Sequence, residues 1–267
     1  MNIFKTFKGI YLKFLGEQEA RHLKNRNLVG TINPNSFPDS LKNPTDYYLR
    51  AFQDFHRILP EELRDHREYF TIDRRGFGED AFHTMWWRLF NEFNPQNFLE
   101  LGVYRGQVIS LIALLSQRKG IDCCITGISP FTSIGDSVSK YRVNLDYQLD
   151  ILSHFEHLRL PKPTLVQAYS TDQIALDVIA SRTWDMIYID GNHDYEIVVK
   201  DWVACSKAVK IGGLVILDDS GLGTLYRPPA FATKGHPGPS RLAAEIDSTV
   251  FQEILQVGHN RVFQRRA

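Results

Sequence analysis

The chain changes character at residues 97–106, whose sequence is NFLELGVYRG. The apolar run at its start predicts a buried strand, and Gly102 and Gly106 predict a tight turn because glycine tolerates positive φ. The next residues, 107–118, have the length and apolar spacing of a helix. A strand, a glycine turn and a helix in this order are typical of a ligand site at the carboxyl edge of an open α/β sheet.

Strand and helix alternate from this point onward. Strands joined by helices imply a parallel sheet that helices cover on both faces. We therefore expect an α/β fold with a Rossmann-like, seven-stranded, mostly parallel sheet and a C-terminal antiparallel hairpin, closed by the turn Gly258-His259-Asn260. The predicted strands are 97–102, 123–128, 164–168, 184–190, 213–219, 250–257 and 261–266, and the predicted helices are 107–118, part of 136–157, 172–181, 194–209 and 240–247.

Residues 1–96 precede the alternation and are predicted to form a helical extension that serves as a cap or an oligomerisation element, whereas residues 97–267 are predicted to form the α/β domain. Residues 1–26 hold six Lys or Arg and two Glu, with apolar residues at helical spacing. Such a helix packs on protein or lies on a membrane surface, and we favour packing. Residues 27–46 predict a loop. Further helices are predicted at 46–58, 60–69 and 81–93.

The composition excludes several classes of protein. The 267 residues include 31 basic and 31 acidic side chains and are 43% hydrophobic, which is typical of a folded domain. A net charge of zero argues against general nucleic-acid binding. No apolar run reaches the roughly 20 residues of a membrane span. The three cysteines form neither a disulfide framework nor a metal motif, so we expect a reducing, cytoplasmic location.

Two further strands are predicted to end in acidic side chains. One delivers Asp190, and the following turn adds His193, which makes a candidate metal or acid–base site. The alternative is that Asp190 or Asp194 caps the next helix and that His193 is simply exposed. A later strand ends in Asp218 and Asp219. Because the carboxyl ends of parallel strands lie at one edge of the sheet, we expect the three carboxylates to converge. Their negative charges repel one another, which favours the binding of a hard divalent cation between them.

Two motifs carry a family resemblance: E-x-G-V-Y-R-G at 100–106 and I-D-G-N-H-D-Y at 189–195. They resemble the class I methyltransferases that use S-adenosylmethionine (SAM), especially the macrolide-sugar O-methyltransferases of the macrocin and mycinamicin type. The resemblance covers residues 97–267 and implies O-methylation of a hydroxyl on a sugar or a glycosylated metabolite. It also implies a Mg²⁺ site that lowers the pKa of that hydroxyl. The implied metal ligands are Asp190, Asp218 and Asp219, and the implied catalytic residues are His193 and Asp190.

The resemblance also implies a SAM pocket. The sequence departs from many relatives at the second strand, where Ser129 replaces an acid that binds the ribose, and Asp136 is a candidate substitute. After the third strand, a helix-capping segment is implied to border the adenine. The expected cofactor residues are Glu100, Gly102, Tyr104, Gly106, Ser129, Asp136, Ser170, Asp172 and Asp190.

Residues outside these motifs are candidates for the acceptor site. Arg74 and Arg75 either bind an anionic group of the acceptor or belong to a charged turn. Trp86 and Trp87 are expected to pack in a core, and His83 lies on the same helix. The loop 221–239 is expected to shape the acceptor pocket because it follows the acidic pair. Its candidate residues are Tyr226, Arg227 and His236.

Two alternatives to methyl transfer stay open. A metal-dependent hydroxylase, similar to the cephalosporin-hydroxylase group, would bind iron with two histidines and one carboxylate, for example with His236 beside Asp190. The second alternative is a non-catalytic scaffold protein of the same fold. Three acidic residues that repel one another at one site argue against it, because a protein without a catalytic site does not need them. The expected partners are a small-molecule or glycan acceptor and a second copy of the chain, with no nucleic acid.

Overall fold

The computed structural model of the chain describes residues 3–25, 36–136, 138–139 and 141–267. These residues form one seven-stranded sheet with helices on both faces, as predicted. The strands are β1 Asn97–Leu101, β2 Cys124–Ser129, β3 Thr164–Gln167, β4 Trp184–Ile189, β5 Val209–Leu217, β6 Phe251–Val257 and β7 Asn260–Arg265.

The strand order in the sheet is β3-β2-β1-β4-β5-β7-β6. Neighbours among β1 to β5 are parallel, whereas β7 runs antiparallel to both β5 and β6. The chain builds the sheet outward from β1 in one direction and from β4 in the other. The crevice between β1 and β4 is therefore the place where an open α/β sheet binds its ligand.

The helices are α1 Ile3–Asn25, α2 Phe37–Lys42, α3 Pro44–Arg57, α4 Glu61–Thr71, α5 Asp80–Phe93, α6 Gln107–Lys119, α7 Tyr147–His157, α8 Gln173–Ala180, α9 Tyr195–Ala208 and α10 Pro237–Glu245. A short 3₁₀ turn at Ile72–Arg74 follows α4. In the described part of the chain, no helix is long and apolar enough to cross a membrane.

Side chains alternate along the central strands, so each face of the sheet has its own hydrophobic core. Phe98 and Tyr188 point into the core shared with α3, α5 and α6. Leu99 and Ile187 point into the opposite core, which α8, α9 and α10 cover. Burial on both faces explains why these strands are apolar almost throughout.

The helices before β1 share a core with the sheet. Trp86 of α5 is 2% exposed and lies edge-on against Phe98, with ring centroids 5.9 Å apart, and against Tyr188 at 5.0 Å. Packing of the tryptophan is thus confirmed. A domain boundary at residue 97 stays a prediction.

Helix α1 contacts the rest of the molecule through its C-terminal half. Leu23 is buried in the core, and its carbonyl oxygen accepts a hydrogen bond from Gln53 at 2.8 Å. Glu19 accepts one from the backbone of Ala230 at 2.7 Å. Tyr11 and Phe14, by contrast, are exposed. The remaining residues of the predicted helix, 1, 2 and 26, lie outside the described residues.

The predicted loop at 27–46 is wrong from residue 37 onward, where α2 and then α3 follow. Residues 27–35 lie outside the described part of the chain. Pro38 and Pro44 fall in the first turns of these helices. Proline fits there because the first backbone N–H groups of a helix have no partner within it. The residue type that signals a loop therefore also occupies the first turn of both helices.

Several strand ends also differ from the prediction, with consequences for the site. β4 ends at Ile189 and β5 at Leu217, so Asp190, Asp218 and Asp219 lie just beyond the strands. β5 begins at Val209, directly after α9, and its register with β4 shifts between Trp184 and Met186. The acids consequently lie at the carboxyl edge, where the N–H groups of Asp190 and Asp218 still donate to the carbonyl oxygens of Leu101 and Ile189 at 2.8 and 3.0 Å.

Candidate active site

A cavity opens at the carboxyl ends of β1 to β4. The turns after these four strands form its walls, together with Tyr141, Tyr147 and Ile197. Five of the predicted cofactor residues line it, namely Gly102, Tyr104, Ser129, Asp136 and Ser170. Because the strands are parallel, residues far apart in sequence meet at this edge.

Gly102 forms the floor of the cavity where three strands meet. Its N–H donates to Ile128 at 2.9 Å, and the N–H of Asp190 donates to Leu101 at 2.8 Å. The φ of Gly102 is +95°, and a Cβ there would lie 2.0 Å from the carbonyl oxygen of Asp190. Only glycine fits this turn.

Aromatic rings form one wall of the cavity. Tyr104 stacks on Phe77 with ring centroids 5.0 Å apart and lies 5.7 Å from Tyr141 and 5.8 Å from Tyr147. Aromatic faces attract cations, so this wall suits a positively charged ligand group.

The polar residues of the cavity differ in whether their oxygen atoms already take part in hydrogen bonds. Ser129 ends β2, and among the described residues its hydroxyl has no hydrogen-bond partner. Asp136 accepts from the N–H of Ser139 at 2.7 Å with one oxygen and from His193 with the other. Its two oxygens are therefore already engaged, which leaves Ser129 as the better ribose contact.

The other predicted cofactor residues lie outside this cavity. Glu100 is 3% exposed on the α6 side of β1, where burial raises its pKa to about 8. Gly106 begins α6 with a φ of +82°, and Asp172 accepts from the N–H of Tyr169 at 2.9 Å. Asp190 lines a smaller, adjacent cavity. These four residues shape or flank the pocket without lining it.

The three predicted metal ligands do come together. Asp190, Asp218 and Asp219 line the smaller cavity with His193. Burial and the charge of Asp218 raise the pKa of Asp190 well above its usual range. Burial opposes ionisation of Asp218 too, but the charge of His259 holds the pKa of Asp218 well below its usual range. An all-oxygen donor set of this kind fits Mg²⁺.

His193 bridges two carboxylates beside this cluster. Its Nε2 lies 2.7 Å from Oδ2 of Asp219, and its Nδ1 lies 2.5 Å from Oδ2 of Asp136. Burial lowers the pKa of His193, but the hydrogen bonds to Asp219 and Asp136 outweigh it and raise the pKa to about 9. The imidazole is thus held in place on both sides and keeps a proton at neutral pH.

His259 also belongs to the acid cluster, although the sequence analysis placed it only in a turn. Its Nε2 lies 3.3 Å from Oδ1 of Asp218, and its Nδ1 lies 2.9 Å from the hydroxyl of Thr233. Burial lowers the pKa of His259, yet the Asp218 carboxylate raises it to about 10. The position of His259 follows from the strand order and not from a local sequence pattern. The start of β7 meets the carboxyl end of β5 because β7 pairs with β5 in the sheet.

The acceptor-site candidates divide between the site and the core. His236 reaches the acid cluster, with its Nε2 3.8 Å from Oδ2 of Asp219. Arg74 lines a cavity next to Tyr104, together with Arg142. Arg75 instead packs over the ring of Tyr69. Tyr226 and His83 are buried, and Arg227 donates to the carbonyl groups of Thr224 and Tyr226 in its own loop.

Within the described residues, two groups place three potential metal-ligand atoms within 4.8 Å of one another, and neither of them contains Asp190. One is His193, Asp219 and His236, and the other is Asp218, Asp219 and His259. Asp219 belongs to both, so it is the common member of every candidate metal site in this part of the chain.

Comparison with known proteins agrees with this geometry. Residues 99–220 match the family model of a methyltransferase domain. A curated relative, the uncharacterized protein R132 of Acanthamoeba polyphaga mimivirus, is 24% identical over 159 residues. That match spans 59% of this chain and 63% of the relative's length.

Two solved structures share the fold. The Podospora anserina methyltransferase PaMTH1, bound to S-adenosylhomocysteine (SAH), aligns with a TM-score of 0.56 at 13% identity over 90% of this chain and 100% of that one. The MycE methyltransferase of mycinamycin biosynthesis, in complex with Mg and SAH, aligns with a TM-score of 0.50 at 20% identity over 83% of this chain and 61% of that one. At these identities the likeness is one of fold.

Proposed function

Since residues 99–220 of this chain form a methyltransferase domain, we propose that the protein transfers a methyl group from SAM to a hydroxyl of a small-molecule acceptor. One observation carries the proposal: a single turn joins the two cavities. Gly191 and Asn192 line the larger cavity, and Asp190 and His193, on either side of them, line the smaller one. A methyl donor in the first therefore adjoins an acceptor in the second.

The lining of the larger cavity offers a contact for each part of SAM. We propose that the Tyr104 wall faces the sulfonium and that Ser129 bonds the ribose. Ser170, after β3, would border the adenine. PaMTH1 and MycE both contain SAH, the product of SAM, which supports the same ligand here.

Asp190, Asp218 and Asp219 would hold Mg²⁺, which supplies a lower pKa for an acceptor hydroxyl when it is bound. The presence of Mg in MycE supports this assignment. The chain's own residues orient the acceptor oxygen and take its proton. In the transfer, that oxygen bonds to the methyl carbon as the bond from carbon to sulfur breaks, which leaves a methyl ether and SAH. Holding both reactants in line supplies much of the rate.

His193 is the proposed base, with a carboxylate of the cluster as the alternative. Its raised pKa of about 9 means that it carries a proton at neutral pH as long as Asp219 and Asp136 both bind it. When Asp219 binds another group, His193 loses one of the two hydrogen bonds that retain this proton. The imidazole then becomes a better proton acceptor.

We propose a sugar or a glycosylated metabolite as the acceptor, with Arg74 and Arg142 beside Tyr104 as contacts for an anionic substituent. The helices before β1 and the loop 221–239 would shape this acceptor site. We further propose that the protein acts in the cytoplasm as a homo-oligomer. Peripheral membrane contact through residues 1–26 stays a secondary proposal, supported by the exposed Tyr11 and Phe14.

Calorimetric titration of the purified chain with SAM and with SAH tests the proposal. We expect one binding site for each, with SAH competing against SAM. Substitution of Ser129 by Ala should weaken both ligands, whereas the matched change Ser181→Ala, at the exposed end of α8, should change neither. Absence of binding at millimolar SAM would exclude a methyltransferase role.

A further inference from the structure

Two histidines and one carboxylate meet on the outer side of the acid cluster. Nε2 of His193 lies 2.7 Å from Oδ2 of Asp219, and Nε2 of His236 lies 3.8 Å from the same oxygen. The two imidazole rings are 4.3 Å apart between centroids. The proposed function uses His193 and Asp219 but gives no role to His236.

We propose that His193, Asp219 and His236 bind a divalent transition-metal ion of the Zn²⁺ or Co²⁺ class. Imidazole nitrogen prefers such ions, whereas Mg²⁺ prefers oxygen. In a tetrahedral site with bonds of about 2.0 Å, ligand atoms lie about 3.3 Å apart. The observed distances of 2.7 and 3.8 Å lie on either side of that value. Small side-chain rotations thus suffice, and three protein ligands leave the fourth position to a further ligand.

Asp136 gives His193 the outer support that metal-binding histidines usually have. Its Oδ2 lies 2.5 Å from Nδ1 of His193, so Nε2 is the nitrogen that points toward Asp219. Asp136 is itself fixed by the N–H groups of Val138 and Ser139, at 3.0 and 2.7 Å. A carboxylate behind a histidine in this way orients the ring and strengthens its metal bond.

Backbone contacts hold the three ligands together independently of their side chains. The N–H of His236 donates to the carbonyl oxygen of Asp219 at 2.7 Å. A Cβ on Gly235 would lie 2.3 Å from that same oxygen, and a Cβ on Gly238 would lie 2.1 Å from the carbonyl oxygen of His193. The turn after β4, the turn after β5 and the start of α10 therefore touch without intervening side chains, which preorganises the site.

This site has a consequence for methyl transfer. A metal ion on Nε2 of His193 occupies the nitrogen that would take the proton of the substrate hydroxyl. The same ion binds Asp219, which is then no longer available to the proposed Mg²⁺ site with Asp190 and Asp218. A transition-metal ion is therefore expected to inhibit the proposed reaction.

The experiment uses the full chain without an affinity tag, freed of metal by chelation. Calorimetry should show Co²⁺ binding at one site, about a hundredfold or more tighter than Mg²⁺. The bound Co²⁺ should give the visible absorption of a four-coordinate complex. His236→Gln should weaken Co²⁺ about tenfold or more, and Asp136→Asn should weaken it about 10- to 100-fold without removing a ligand. The control His22→Gln changes an exposed histidine of α1 and should alter nothing.

SAH titration of each variant separates the outcomes. If His236→Gln binds SAH normally but retains full Co²⁺ affinity, the proposed site is wrong, and it is equally wrong if the unmodified chain binds no Co²⁺. Loss of SAH binding in the unmodified chain would count against the proposed methyl transfer and would leave the Co²⁺ comparison unaffected.

Discussion

Gly102 leaves no space for a side chain at the point where β1, β2 and β4 meet. We expect Gly102→Ala to weaken SAH binding more than tenfold and to lower the free energy of unfolding by several kcal/mol, because positive φ alone costs about 1–2 kcal/mol and the new methyl group overlaps Asp190. Chemical denaturation and calorimetry measure both effects.

Gly120 offers the matched control for this substitution. It also has a positive φ, of +64°, but a Cβ there meets nothing within 4 Å. Gly120→Ala should therefore show only the cost of the backbone conformation, about 1 kcal/mol. Equal losses in the two variants would mean that the contact with Asp190 is unimportant.

Asp190 should be a residue at which stability and activity oppose each other. The raised pKa of its carboxyl shows that the folded protein disfavours a charge there more than the unfolded chain does. Asp190→Asn removes that charge, so at pH 8 and without metal we expect the unfolding free energy to rise by about 1 kcal/mol. Methyl transfer should nevertheless fall at least about a hundredfold. A clear loss of stability on denaturation would contradict this account.

The acids of the site could be predicted at the level of single residues, whereas His259 could not. Asp190, Asp218 and Asp219 each follow an apolar run, and parallel strands bring such positions to one edge whatever their order. The position of His259 depends on β7 lying between β5 and β6, an order that local sequence patterns do not contain.

Between elements, a buried pair of histidines joins α4 to α5 and α6. Nδ1 of His66 lies 3.1 Å from Nε2 of His83, and Nε2 of His66 lies 2.9 Å from the hydroxyl of Ser110. Burial lowers the pKa of His66 to about 3 and that of His83 well below its usual range. Both imidazoles are therefore neutral in the folded protein at ordinary pH.

This pair should make the fold sensitive to acid. The unfolded histidines take up protons near pH 6.5 and the folded ones do not, so the contribution of this pair to stability is complete above that pH. It should fall progressively as the pH drops toward 3, by at most about 1.4 kcal/mol per pH unit for each histidine. Urea denaturation at pH 7 and pH 5 measures the loss.

His66→Gln separates this effect from other acid-sensitive groups. The amide stays neutral at both pH values, so the variant should lose less free energy than the unmodified chain between pH 7 and pH 5. Identical losses in the two proteins would assign the acid sensitivity between pH 7 and pH 5 to other residues.

The helices and strands themselves followed the sequence closely, except where one residue type has two uses. Prolines that mark loops also begin helices, which is why α2 and the start of α3 could not be separated from a loop by composition. Similarly, the glycines at 212 and 213 suggested the beginning of a strand. The structure continues β5 back through them to Val209, with an irregular register beside β4.

At the scale of the molecule, α5 couples the N-terminal helices to the sheet. Trp86→Ala should destabilise the whole chain by about 3–5 kcal/mol, because a large ring between Phe98 and Tyr188 is lost. Trp87, only partly buried on the same helix, provides the control, and Trp87→Ala should cost clearly less. Far-UV circular dichroism and SAH binding should report a single unfolding transition in both variants.

An alternative outcome is informative here. If Trp86→Ala unfolds the helices before β1 while SAH binding persists, then residues 97–267 fold alone and the predicted boundary at 97 is physically meaningful. The shared core argues for joint unfolding. Sequence patterns could not show this, since contacts between α5 and β4 join residues about a hundred positions apart.

The position of β7 also protects the protein from self-association. β5 is apolar and buried on both faces, and β7 covers its free edge through hydrogen bonds from Leu214 to Leu217. A chain cut before β6 by a protease would expose that edge as an unpaired, flat, hydrophobic strand. Such an edge pairs readily with copies of itself. The hairpin that brings His259 to the acids is therefore also the cover that keeps the sheet from growing into an aggregate.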